Sequence, residues 1–117
     1  MTDKLVVLVT CRSAKEADRI ARRLVAARLA ACGNILRNPV RSIYRWKKKI
    51  ESAREVLLVI KTSRRRFPAL QAAIKRLHSY EVPEIIALPI AAGSQSYLSW
   101  LAESVAPRKK QIGRAHV

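Results

Sequence analysis

The chain opens on a run, Leu5-Val6-Val7-Leu8-Val9, that is apolar at every position and ends at Thr10-Cys11. A run without alternation predicts a strand covered on both faces. Ser13-Ala14-Lys15-Glu16 follows with capping-box spacing: the serine hydroxyl can accept the fourth residue's amide, and the Glu16 carboxylate can reach back. Beyond it, Ala17, Ile20, Ala21 and Leu24 recur at the spacing of one helix face, with Val25 and Leu29 widening the stripe. Lys15, Asp18, Arg19, Arg22 and Arg23 lie mostly off that stripe. Gly33-Asn34 is the expected stop, because glycine accepts the left-handed conformation that ends helices.

Residues 35–46 change period. Val40, Ser42, Tyr44 and Trp46 alternate with Arg41, Ile43 and Arg45, so the two sets share opposite faces of an extended segment. Pro39 cannot donate a ladder hydrogen bond, which makes this an edge strand or bulges it. Lys47-Lys48-Lys49 is a polar turn, and 55–62 is a second strand with the apolar core Val56-Leu57-Leu58-Val59-Ile60, completing a hairpin. A second helix opens at Ser63 or Arg64 with the stripe Phe67, Leu70, Ile74 and Leu77, where Pro68 is tolerable only in the first turn. Residues 78–84 form a loop, and 85–90 a last short strand with Pro89 marking an edge or a bulge. A terminal helix over 96–105 is expected to turn Tyr97, Leu98 and Leu101 inward.

The order is βαββαβ plus a short C-terminal helix, an α+β chain of the ferredoxin-like kind, with both main helices on one face of an antiparallel sheet. One domain over residues 1–106 is expected, followed by a basic, disordered tail over 107–117. Two helices cover one sheet face only. If strands 5–9 and 56–60 are buried on both faces, the second needs another cover, and a homo-oligomer packing sheet on sheet supplies it most simply.

Composition adds one unusual quantity. Lys and Arg number 24 against 8 Asp and Glu, a net charge of +16. Such an excess attracts polyanions, whether nucleic acid, ribosomes or anionic membranes, without saying anything about fold. No apolar run approaches the ~20 residues of a membrane-spanning helix, and no small-residue cleavage site follows the N-terminus, so no signal peptide is expected. Cys11 and Cys32 fit neither a disulfide framework nor a CxxC site, and a reducing cytoplasm is the expected location.

The usual catalytic signatures are missing. There are two histidines, His78 and His116, and no GxSxG, GxGxxG, P-loop or HExxH pattern. Thr10-Cys11-Arg12-Ser13 lacks the glycines of an anion-cradling loop, which argues against an acylphosphatase-like enzyme. The central strands carry no aromatic residues, so the stacking platform of an RNA-recognition module is missing too. What remains is a cluster around the hairpin and the 78–84 loop: Tyr44, Trp46, Lys61, His78, Tyr80, Pro83 and Glu84. It reads either as packing or as a polar pocket at a subunit boundary.

At these residues the sequence resembles a known family, the CutA or divalent-cation tolerance proteins. The resemblance rests on Leu29-Ala30-Ala31-Cys32, Ser42-Ile43-Tyr44-Arg45-Trp46, Ile60-Lys61-Thr62, His78-Ser79-Tyr80-Glu81-Val82-Pro83-Glu84-Ile85-Ile86 and Tyr97-Leu98-Ser99-Trp100, and covers about residues 4 to 104. It implies a ferredoxin-like fold, a homotrimer like the nitrogen-regulatory PII proteins, and a non-enzymatic role in copper or other divalent-ion tolerance and homeostasis. His78 matches a position proposed as a copper ligand in some members, with Ser79 replacing the proline after it. The N-terminal cysteine proposed as a ligand falls at Val9, which cannot ligate, leaving Cys11 two residues on as its substitute. Cys32 matches the family's helix-end cysteine. Lys48 replaces the glycine of the hairpin turn, a position where a side chain resists positive φ.

The expected function is therefore that of a cytoplasmic, trimeric metal-tolerance protein, with copper as the ion and His78, Cys11 and Cys32 as candidate ligands. One alternative is a PII-like sensor of a small anionic ligand in an inter-subunit cleft at Tyr44, Trp46, Lys61, Tyr80 and Glu84. The other is a basic polyanion- or nucleic-acid-binding module using residues 47–49, 64–66 and 108–110. The end, Ile112-Gly113-Arg114-Ala115-His116-Val117, has the sequence that a sequencing-adapter read-through encodes, so His116 is not counted as a ligand.

Overall fold

The computed structural model of the chain describes residues 2–107; most of the expected tail, with His116 and the adapter-like end, lies outside the described residues. The elements are β1 (Lys4–Cys11), α1 (Ala14–Ala26), β2 (Cys32–Trp46), β3 (Lys49–Ser63), α2 (Phe67–Leu77), β4 (Ile86–Pro89) and α3 (Gln95–Ser104). The expected βαββαβ order with a terminal helix is the observed one. The sheet runs β2-β3-β1-β4, every neighbouring pair antiparallel. Pro39 and Pro89 sit on edge strands, where a missing donor costs no ladder bond: Pro39 in a register shift of β2 between Leu36 and Val40, and Pro89 opposite Leu5 in β4.

The helices pack on one face and make the core there. Leu5, Val7, Val9 and Cys11 from β1 meet Leu58 and Ile60 from β3, the α1 stripe Ala17, Ile20, Ala21 and Leu24, and Leu70, Ala73 and Ile74 of α2. Each fully buried Leu or Ile contributes about 1.5–3 kcal/mol. Val25, expected to widen that stripe, is instead 41 % exposed and lies outside the core. The alternate residues of β1 are only half-buried within one chain, so β1 is covered on one face rather than on both.

The helix stop also differs from expectation. α1 ends at Ala26, and Arg28, at φ 61°, makes the left-handed turn while the Leu29 amide donates to the Leu24 carbonyl at 2.9 Å. Gly33 instead lies in β2, where α1 comes closest: a Cβ there would sit 3.1 Å from that of Ala21. The hairpin turn is two residues, Lys47 and Lys48, with Lys49 already in β3, and it closes without glycine. Lys47 and Lys48 adopt φ 50° and 69°, a conformation that costs an L-residue about 1–2 kcal/mol.

Helix α3 seats at the opposite end of the sheet from that turn. Leu101 and Val105 pack with Ala31 and Ile90, while Tyr97, expected inward, is 41 % exposed. Two arginines hold the C-terminal carbonyls of α3, where the helix dipole is negative: Arg28 donates to Glu103 and Ala106 (2.6 and 2.9 Å), and Arg66 to Val105 (2.8 Å).

Candidate functional site

Three segments far apart in sequence meet where β1 ends. The β2–β3 hairpin brings Ser42, Tyr44, Trp46 and Glu55, the loop after α2 brings Tyr80 to Glu84, and Thr10 closes the floor of a cleft of about 610 Å³. The period-2 pattern of β2 sets Ser42, Tyr44 and Trp46 on the same face, as read from the sequence. Tyr80 fastens the loop to the hairpin, donating its hydroxyl to Oε2 of Glu55 at 2.7 Å, and that carboxylate is only 7 % exposed. Burial, and then the bond to Glu55, push the Tyr80 hydroxyl above the ordinary tyrosine range, so it remains a donor.

The charge here runs against that of the chain. Of eight carboxylates in a protein of net charge +16, Glu55, Glu81 and Glu84 all line this one cleft. Four of the five expected cleft residues, Tyr44, Trp46, Tyr80 and Glu84, are brought together. Lys61 is not among them. It lies six residues farther along β3, roughly 20 Å away, opposite Cys32, with its Nζ donating to Asn34 Oδ1. Among the described residues no Lys or Arg lines the cleft itself; Lys47 stands by its wall, with its Nζ 5.9 Å from the Trp46 ring centroid, and the cleft's carboxylates favour a positive occupant.

The candidate ligands Cys11 and His78 do meet, and with them Glu16, which the sequence reading used only as a cap. One ligand atom from each lies within 4.8 Å of the others. Their donor sets are already engaged. The Tyr80 amide donates to His78 Nδ1 at 3.0 Å, so Nε2 carries the proton it donates to the Thr10 carbonyl at 2.8 Å. Glu16 takes the Arg12 amide on Oε1 at 3.0 Å and the Ser79 amide on Oε2 at 2.8 Å. Burial opposes the charge on Glu16, yet the bonds from Ser79 and Arg12 hold its carboxyl below the usual range. Cys11, named from the sequence as a candidate ligand, is fully buried in the core. Burial and then the charges of Glu16 and Glu55 push its thiol up to about 12, so without a metal it stays protonated. A metal here would strip partners from buried amides and a carbonyl, each at a cost of about 1–3 kcal/mol. The trio has the spacing to hold an ion only by giving up these bonds; as it stands, it ties the 78–84 loop to β1 and α1.

Cys32 stands apart from that trio. It is half-buried at the start of β2, 3.8 Å from both Tyr97 Oη and Asn34 Oδ1. Burial, then the contact with Cys32, raises the Tyr97 hydroxyl. Glu55 and Glu81 went unread as site residues. Glu81 stands inside the 78–84 motif, whereas nothing local to the strand distinguishes Glu55; only the tertiary approach of Tyr80 does.

Comparison with known proteins agrees with this architecture. The family model described as CutA1 divalent ion tolerance protein matches residues 5–104. A divalent-cation tolerance protein CutA from Thermus thermophilus is 50% identical over 99 residues, covering 85% of this chain and 95% of that protein. Human protein CutA is 47% identical over 95 residues, 81% of this chain, but the match spans only 52% of the human protein. The solved structure of a periplasmic divalent cation tolerance protein CutA from Archaeoglobus fulgidus superposes with a TM-score of 0.84 at 39% identity, covering 88% of this chain and 99% of that one. With a family model matched over nearly the whole described chain, this protein belongs to the CutA1 divalent ion tolerance family.

Proposed function

We propose that the chain is a non-enzymatic protein of divalent-cation tolerance, working as a homotrimer and drawing copper(II) to the cleft that Glu55, Glu81 and Glu84 line. The observation that carries this reading is the gathering of three of eight carboxylates at one cleft of a strongly basic chain. Carboxylate oxygens bind divalent cations, and copper(II) stands highest in the affinity order of the first-row divalent ions. Tyr44 and Trp46 line the cleft beside the carboxylates.

The trimer is supported by the sheet face opposite the helices. Val6, Leu8, Leu57 and Val59 are half-buried there, and Leu36, Ile86 and Leu88 are 45–48 % exposed, an apolar surface that marks an association face. The hairpin carries two more exposed apolar residues, Ile43 at 68 % and Ile50 at 66 %. Closed symmetry buries the same surface on every copy.

Titrating copper(II) into the purified protein tests the reading. Glu84→Gln and Glu55→Gln weaken binding about tenfold or more, since each removes an anionic oxygen, while Cys11→Ser binds as the parent does. Light scattering gives three times 13.2 kDa, about 40 kDa. A monomer at micromolar concentration, or copper binding indifferent to both glutamates, overturns it.

A further inference from the structure

Cations are segregated as sharply as carboxylates, and onto a surface that the cleft does not use. Helices α1 and α2 lie antiparallel across the sheet, because each returns against the strand before it, and Arg19 of α1 donates to the Leu77 carbonyl at the end of α2 at 3.1 Å. Lys15 and Arg19 of α1 therefore stand beside Lys75 and Arg76 of α2. At the other end, Arg23 of α1 shares this layer with Arg64 and Arg65 of the turn before α2, while Arg22 lies on the side of α1 toward Gly33 and Ile35 of β2. All eight side chains are exposed. Set against them on these helices are Asp18, which pairs with Arg22 at 2.8 Å, and Glu16, which is buried. This layer also faces away from the apolar sheet surface, so it stays open when copies associate through that surface.

We propose that the α1–α2 face docks on the phosphate backbone of double-stranded nucleic acid, without reading its sequence. Charge complementarity selects the occupant. Helix α1, 13 residues long, spans about 20 Å, against which a duplex presents one phosphate charge per ~1.7 Å of axis. Single-stranded nucleic acid wants aromatic platforms, and the exposed aromatic residues Tyr44, Trp46, Tyr97 and Trp100 all lie on other elements. A membrane surface wants apolar wedges beside the cations, and Val25 is the one large hydrophobic residue exposed on α1 or α2.

The experiment compares two full-length variants that lose the same charge. One carries Lys15→Gln, Arg23→Gln, Arg65→Gln and Arg76→Gln on the helical face; the other carries Arg45→Gln, Lys47→Gln, Lys48→Gln and Lys49→Gln at the hairpin tip. Fluorescence anisotropy follows binding to a mixed-sequence DNA duplex of about 20 base pairs as salt rises from about 50 to about 200 mM. Melting curves establish that each variant is folded, and Arg64→Gln with Lys75→Gln serves as a second helical-face variant. The four-charge helical-face variant weakens binding about tenfold and flattens the log–log salt slope by about 3, the two-charge variant flattens it by about half as much, and the hairpin variant changes affinity less than about threefold. Equal weakening by both sets would reduce the effect to net charge and overturn the proposal. So would phosphatidylserine vesicles binding tightly, with the same residue dependence, while the duplex does not bind.

Discussion

Tyr80 donates its hydroxyl to Glu55 across 2.7 Å, and through that bond the loop after α2 is fixed to the hairpin arm. The two residues lie 25 positions apart, and the bond closes one wall of the acidic cleft. Tyr80→Phe keeps the ring and deletes the donor, leaving a 7 %-exposed carboxylate short of a partner. We expect a loss of about 1–3 kcal/mol in urea unfolding, together with weaker copper binding.

The protein should be most stable near neutrality and lose stability on both sides. The Cys11 thiol rises from 9.0 to about 12 on folding. A folded pKa above the unfolded one gives stability that is complete below pH 9 and lost as pH climbs toward 12. Tyr80, also raised, adds to the same alkaline limb. Glu16 has the opposite sign: its carboxyl is lowered from 4.5, so its stabilisation holds above that value and fades as pH falls through the folded one. Urea midpoints measured against pH should show both limbs, with Cys11→Ala flattening the alkaline one and Glu16→Gln the acid one.

Lys48→Gly should stabilise the chain. Lys48 holds φ 69° at the hairpin turn. Removing its side chain relieves a penalty of about 1–2 kcal/mol, offset by about 0.5–1 kcal/mol of glycine entropy, for a net gain of about 0.5–1 kcal/mol. Thermal unfolding checks it, and a lower melting temperature would contradict it.

Gly33→Val should destabilise by about 1–3 kcal/mol through overpacking. The new Cβ alone would sit 3.1 Å from the Ala21 Cβ and 3.3 Å from Leu58 Cδ1, before the valine methyls are counted.

Periodicity made the architecture legible. The α1 stripe, the Ser13 cap accepting the Glu16 amide at 3.1 Å and the hairpin faces all came from spacing that local physics enforces. The misreadings share a cause: each concerned a residue whose role is set by something distant in sequence. Gly33 has the composition of a helix stop, yet it serves the approach of α1 to β2, and Arg28 makes the turn. Lys61 reads as a neighbour of Trp46 until the strand's length is laid out, and then it falls at the far end. Cys11 faces inward because it shares the face of Val7 and Val9, a parity visible in the chain, but its link to Glu16 and His78 needs three elements folded together. The acidic cleft was half legible, with Glu81 and Glu84 in one motif and Glu55 hidden in a strand.

The central claim is that copper(II) is held by cleft carboxylates and not by the buried thiol. Optical and electron paramagnetic resonance spectra of the full chain, loaded with one equivalent of copper(II), test it most directly. The predicted result is an oxygen-coordinated signal without a thiolate-to-copper charge-transfer band, unchanged in Cys11→Ser and lost in Glu55→Gln with Glu84→Gln. A charge-transfer band that disappears in Cys11→Ser while the glutamate variants keep the parent spectrum would contradict the account.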